Sequence, residues 1–180
     1  MGLFDWLLSG DASPETGSPD VVQRIADLLD GFEPAQAQYL GAFAYLLGRV
    51  ANIDDALPQT EVGAMRALVA REGGVDASAA QAVVASAQAL SRAERGTEDF
   101  RVAQEFNRMA TEEQKLGLVR CLFAVAAADA SVSLSEDNEI RRITQELGIS
   151  HEGFIKARLD VRQHLAVTRP PARAGKGGDA

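Results

Sequence analysis

Apolar residues recur every three or four positions along most of the chain, which is the period of an amphipathic α-helix. The first long stripe follows Ser18 and Pro19, a favourable N-cap and a favourable first helical residue. No segment alternates apolar and polar residues with the period of two that a half-buried strand shows. The pattern therefore predicts an all-α bundle of about eight helices.

Two of the predicted helices are apolar around most of their circumference. One begins at Pro34, and the other occupies residues 116–128. A helix without a polar face belongs at the centre of a bundle. We expect their large side chains to be buried there, namely Phe43, Leu47, Val50, Leu118, Leu122 and Val125.

Each central helix leads into an acidic loop, and the two loops match at an offset of 75 residues. Asp54 corresponds to Asp129 and Glu61 to Glu136, so that in both loops a Glu follows the Asp by seven positions. Apolar positions and a helix-ending glycine follow the same offset. A duplicated helical unit explains this match most simply.

The duplication suggests how the chain is divided. We expect one helical domain at 19–167, with repeats at about 19–92 and 97–167, preceded by an apolar segment and a linker at 1–18. Residues 168–180 are rich in Pro, Gly, Ala and charged residues, so we expect a disordered tail. The N-terminal segment either packs on the body or anchors the protein to a partner or membrane surface, and its lack of a basic face favours packing.

Composition and motifs narrow the function. The net charge of −8 argues against nucleic-acid binding, which depends on Lys and Arg. No apolar run reaches the roughly 18 residues that span a bilayer, and the start lacks the basic region of a signal peptide, so we expect a cytoplasmic protein without a transmembrane segment. Cys121 lies in an apolar run and should be buried and inert. No catalytic motif appears, so we expect no enzyme.

The spacing of each acidic pair matches positions five and twelve of an EF-hand loop, where Asp and Glu bind a cation together with a backbone carbonyl. That carbonyl would come from Ala56 or Ser131. The first-half ligands of an EF-hand are missing, so neither loop is one. The candidate ligands of a divalent cation are Asp54, Asp55, Glu61, Asp129 and Glu136, and the residues do not distinguish Ca²⁺, Mg²⁺, Mn²⁺ and Zn²⁺.

A second interpretation is that the loops only shape the helix ends. Glu136 lies three residues after Ser133 and can complete a capping box, whereas Pro58 in the matching place has neither the hydroxyl nor the N–H. If each central helix runs to its Asp, that carboxylate also lies at the unfavourable negative end of the helix dipole. Asp137 and Glu139 are interpreted as part of a solvated face. A cation site and loop architecture alone both stay open.

Residues 127–136, Ala-Ala-Asp-Ala-Ser-Val-Ser-Leu-Ser-Glu, resemble the signature of the tellurite-resistance protein B (TerB) family, roughly Ala-Ala-Asp-Gly-x-Ile-x-x-x-Glu. The loop at 54–61 and the opening Gly-Leu-Phe-Asp-Trp are similar to family members too, and the resemblance covers about residues 19–165. It implies two helical units, an acidic surface that binds divalent metal, and a bacterial cytoplasmic function in stress or tellurite resistance. A related module in membrane-tethered DnaJ-like co-chaperones implies an alternative, a helical module that binds stress-response or membrane-associated proteins. Asp55 and Ala130 replace the Gly of the signature.

Overall fold

The computed structural model describes residues 28–51, 62–89, 99–127 and 132–168. Within these ranges the chain forms seven α-helices and no strand, which confirms the all-α prediction. The helices are α1 (Pro34–Ala51), α2 (Val62–Gly73), α3 (Ala77–Ala89), α4 (Asp99–Met109), α5 (Glu112–Ala126), α6 (Leu134–Glu146) and α7 (His151–Thr168).

Some predictions concern residues outside these ranges. They are the N-terminal segment and linker, most of the helix expected after Ser18, the helix start at Pro58, and the tail. The side chains of residues 164–168 are outside the described set as well, although their backbone belongs to α7.

Local sequence determines where the helices begin. At the start of α5 the Thr111 N–H donates to Gln114 Oε1 at 2.8 Å, and the Gln114 N–H donates to Thr111 Oγ1 at 3.2 Å, which forms the predicted capping box. Asp76 Oδ1 accepts from the Ala79 N–H at 2.8 Å before α3. Because side chains satisfy these first amide groups, the helix starts can be read from the sequence.

The core lies around α1 and α5, which contact each other. Helix α3 packs on α1, and α7 packs on α5, so that each central helix is covered by a helix that follows it in the chain. Helix α2 crosses to α5, whereas α6 contacts both α1 and α5, and α4 packs on α1. The six residues expected at the centre are all buried: Phe43, Leu47, Val50, Leu118, Leu122 and Val125.

The helix positions follow the offset seen in the sequence. Moving α1, α2 and α3 by 75 residues gives 109–126, 137–148 and 152–164, which overlap α5, α6 and α7. Gly74 and Gly148, with φ of 64° and 69°, follow α2 and α6 in the left-handed conformation that commonly ends a helix. The helices therefore occur in the same order and spacing twice, whereas the duplication itself stays a prediction.

Aromatic side chains connect α4 and α2 to α1. The ring of Tyr39 stacks on Phe106 at 5.4 Å between centroids, and Phe43 meets Phe106 edge-on at 6.0 Å. The Tyr39 hydroxyl donates to the carbonyl of Gly73 at 3.2 Å, at the end of α2. Burial raises the pKa of Tyr39 to about 12, so the hydroxyl keeps its proton and this hydrogen bond at neutral pH.

The crossing of α2 and α5 requires a glycine. A Cβ added at Gly117 would lie 2.0 Å from the carbonyl oxygen of Glu72, which is backbone and cannot turn aside. The same crossing carries an ion pair between Arg120 and Glu72, and Arg120 also reaches Glu113 at 2.7 Å. Burial alone would raise the pKa of Glu72, but hydrogen bonds from Arg71 and Arg120 hold it below its usual value.

Replacing Gly117 by Ala should therefore destabilise the protein by about 1 to 3 kcal/mol, because the methyl group forces α2 and α5 apart. The matched control is Gly63→Ala in α2, where the added Cβ meets no atom within 4 Å. That change should be neutral or stabilising by up to about 1 kcal/mol, the ordinary preference of a helix for Ala over Gly. Urea unfolding gives both values, and a stabilising Gly117→Ala would contradict the close approach.

Candidate functional site

One of the five predicted cation ligands lies in the described part of the chain. Glu136 is in the first turn of α6. Asp54, Asp55 and Glu61 belong to residues 52–61, and Asp129 to residues 128–131, all outside the described residues. The convergence of Asp129 with Glu136, and of Asp54 with Glu61, stays a prediction.

Glu136 forms the capping box that the sequence predicts. The backbone N–H of Ser133 donates to Glu136 Oε2 at 2.8 Å, and the Glu136 N–H donates to Ser133 Oγ at 3.2 Å. These bonds stabilise the start of α6 by an amount of order 1 kcal/mol. They use Oε2 alone, so Oε1 of the same carboxylate takes no part in the box.

Helix α5 is shorter than predicted at its C-terminal end. It ends at Ala126, with Ala127 as the C-cap, rather than at residue 128. A helix that ends here does not run to Asp129, because Ala127 already serves as its cap. The helix-dipole argument for a strained Asp129 was therefore wrong in its premise for this loop.

The interpretation of Asp137 and Glu139 as solvated face residues was also wrong. Their side chains are only 18% and 17% exposed. Asp137 lies 3.1 Å from the guanidinium groups of both Arg141 and Arg158. These carboxylates face the protein body, where arginines compensate their charge.

Glu139 takes part in a buried ion cluster centred on Arg49, in the last turn of α1. Arg49 is 1% exposed, and its Nε donates to Glu139 Oε1 at 2.7 Å while Nη1 donates to Glu146 Oε2 at 2.7 Å. Asp99, the first residue of α4, adds a carboxylate oxygen 3.8 Å from Nε. One side chain of α1 therefore holds α4 and α6 together.

The outer side of the Arg49 cluster is closed by two more side chains. Arg142, which is 54% exposed, lies 3.1 Å from Asp99 and 2.9 Å from Glu139. The Tyr45 hydroxyl donates to Asp99 Oδ1 at 2.9 Å. Burial alone would lower the pKa of Arg49, but the hydrogen bond from Glu146 and the charges of Glu139 and Asp99 raise it instead, so Arg49 keeps its charge.

The sequence analysis missed the Arg49 cluster, although a signal was present. Arg49 is a charged residue in a helix that is otherwise almost wholly apolar, and such a charge needs partners when it is buried. Its two closest partners lie 90 and 97 residues further along the chain. No local pattern identifies partners at that distance.

Helix α6 carries four carboxylates, and the ion pairs distinguish one of them. Asp137, Glu139 and Glu146 each have an arginine within 4 Å. Glu136 has no basic partner among the residues that the structure describes. It is the carboxylate of α6 whose charge is free to attract an external cation.

Other reactive groups are absent or buried in the described part of the chain. Within it no three His, Cys, Asp or Glu side chains come together as a metal ion would require. The thiol of Cys121 is fully buried as predicted, and burial raises its pKa far above the usual range, so it is not a nucleophile. No helix among these residues has both the length and the hydropathy needed to cross a bilayer.

Replacing Arg49 by Met keeps much of the side-chain volume and removes the charge. Because this leaves Glu139 and Glu146 buried without their main counter-ion, we expect a loss of about 3 to 5 kcal/mol. Arg142→Met, at the exposed side of the same carboxylates, should lose no more than about 1 kcal/mol.

Chemical denaturation at several pH values tests both expectations. The gap between Arg49→Met and the parent should narrow as the pH falls toward about 4, where carboxylates take up protons and no longer repel. Equal losses in the Arg49 and Arg142 variants would contradict a buried, α1-centred cluster.

A comparison with family models supports the resemblance noted in the sequence. The model described as tellurite resistance protein TerB matches residues 40–159, which is two thirds of the 180-residue chain. This range contains α2 to α6, most of α1, the first part of α7 and both acidic loops. Comparisons with curated proteins and with solved structures gave no match. The match over most of the helical body shows that the chain belongs to the TerB family.

Proposed function

We propose that this TerB-family protein binds a divalent cation through the carboxylates of its two acidic loops, as a cytoplasmic protein of stress or tellurite resistance. The ligands are drawn from Asp54, Asp55, Glu61, Asp129 and Glu136. The observation that carries the proposal is the state of Glu136, which has no basic partner among the described residues although its neighbours on α6 are all paired.

The candidate ligands fit a hard cation. All five are carboxylates, and the additional ligands expected from Ala56 and Ser131 are backbone carbonyls. Oxygen ligands suit Ca²⁺, Mg²⁺ and Mn²⁺ better than Zn²⁺, which prefers His and Cys in protein sites. In the fit with Glu136, the oxygen Oε1 would face the ion while Oε2 keeps its bond to Ser133.

The body holds the ends of both loops in place. The residues that lead into the loops, Val50 and Val125, are buried in the core, and so is Val62 where the first loop returns. Leu134 begins α6 under the control of the capping box. Fixed ends reduce the entropy that each loop loses when it closes on an ion.

The proposal includes no catalysis. The described cysteine is a buried thiol, and His151 lies at the protein surface with its ring stacked on Phe154. An ion held by several carboxylates can be stored or sensed without an open coordination position. We therefore infer a binding protein whose folded stability responds to its cation.

Glu61→Gln with Glu136→Gln separates a cation site from a cap, because Gln completes a capping box as well as Glu does. A cation at about 100 times its dissociation constant should stabilise the parent by about 2.7 kcal/mol. For a chain of this length that corresponds to a rise in Tm of roughly 5 to 10 °C. The rise should vanish in the double variant, and Asp54→Asn with Asp129→Asn should behave alike. Thermal unfolding with each of the four ions measures it.

Glu152→Gln is the matched control, because it removes an exposed charge from the first turn of α7, far in sequence from either loop. It should keep the full cation-dependent rise in Tm. An equal rise in parent and double variant would place the ion elsewhere, and no rise in the parent at millimolar ion would refute the cation proposal.

A helical interaction module is the second candidate, and one observation favours it. Leu134 is 85% exposed at the start of α6, two residues before Glu136. An apolar side chain beside an unpaired carboxylate suits a basic, apolar partner segment. If this candidate is right, a photo-crosslinker at position 134 should capture a partner in cells, and Glu136→Lys should abolish the capture without a change in Tm.

A further inference from the structure

Helix α7 exposes two large apolar side chains on one face. Ile155 is 38% exposed and Leu159 is 48% exposed. Because they lie four residues apart on a helix, their side chains are neighbours. Isolated exposed apolar residues are common, but an adjacent pair beside a groove is a candidate docking surface.

The groove lies between α6 and the start of α7. It is a shallow cavity of about 110 Å³ lined by Arg141, Thr144, Gln145, Ile149, His151 and Phe154. His151 stands one helical turn before Ile155 on the same face, so the cavity and the apolar pair form one continuous surface. We call this surface, formed by Ile149, His151, Phe154, Ile155 and Leu159, the α7 groove.

Cations surround the α7 groove. The Arg141 guanidinium lies 4.8 Å from the centre of the Phe154 ring, although it also bonds Asp137. Lys156 and Arg162 are exposed, and the described residues provide neither with an ion-pair partner. Glu152 is the nearest exposed carboxylate on α7. An apolar segment that carries a carboxylate would complement this surface.

The chain itself contains such a segment. Residues 2–8, Gly-Leu-Phe-Asp-Trp-Leu-Leu, have four apolar side chains on one predicted helical face, and Asp5 is their one charged side chain. We propose that residues 2–8 dock in the α7 groove, with the apolar face on Ile155 and Leu159 and Asp5 toward Arg162 or Lys156. This inference does not depend on the proposed cation site.

The intervening chain is long enough for this contact. Leu29 is buried in the core, so the chain reaches the folded body by that point. With residues 9–18 extended and residues 19–27 helical, the connection spans about 45 Å. A domain of this length is about 40 Å across, so the groove is within reach.

The proposal can be tested in the full chain because Trp6 is its one tryptophan. Docking should shift the Trp6 emission maximum to shorter wavelength and protect it from acrylamide quenching, relative to the denatured chain. Ile155→Ser with Leu159→Ser should move both quantities toward the values of the denatured chain. Phe100→Ser, which alters an exposed aromatic on α4, is the matched control and should change neither.

Each other result overturns the proposal. Parent values equal to those of the denatured chain would mean that residues 2–8 do not dock. A change in Trp6 emission with protein concentration would assign the groove to a second copy, and one that appears only with phospholipid vesicles would assign the segment to a membrane. An equal effect of Phe100→Ser would place the contact elsewhere. Circular dichroism and Tm establish that the groove variants are folded.

Discussion

The buried guanidinium of Arg49 is the constraint on which the arrangement of the helices depends. A charge removed from water must be compensated, and the apolar surroundings on α1 provide no counter-ion. Compensation comes from Glu139 and Glu146 on α6, with Asp99 on α4. Replacing such an ion cluster by apolar residues is often neutral for stability, so its main effect is on which helices can meet. The fold with α6 on α1 satisfies Arg49, and a bundle that separated them would leave it unpaired.

The crossing of α2 and α5 is governed by a comparable rule. Arg120 on the second central helix pairs with Glu72 near the end of α2, and Gly117 lets the two backbones touch. At both crossings a central helix offers an arginine to a glutamate on a helix that follows the other acidic loop. Because α2 and α6 are each held on the opposite central helix, the ends of both loops are positioned by the shared core rather than by the loops themselves.

Much of the fold could be predicted from the sequence because its signals are local. Thr111 with Gln114 and Ser133 with Glu136 identify helix starts within four residues, and the apolar circumference of α1 and α5 identifies the centre. The crossings could not be predicted in this way. Arg49 meets partners 90 and 97 residues distant, and Gly117 is a mid-helix glycine whose role depends on a backbone 45 residues earlier. The candidate site was predicted as residues, of which the described structure contains Glu136.

The ion pairs change the meaning of the capping box at Glu136. Capping and cation binding appeared as alternatives because one carboxylate seemed to serve one purpose. The bond from the Ser133 N–H fixes Oε2, and with it the direction of the carboxylate, while Oε1 is outside the box. Arginines neutralise Asp137, Glu139 and Glu146, so much of the remaining negative charge of α6 is concentrated at its first turn. A carboxylate that is held by its own backbone and left without a counter-ion is already oriented for a ligand, and its role as a cap contributes to that orientation.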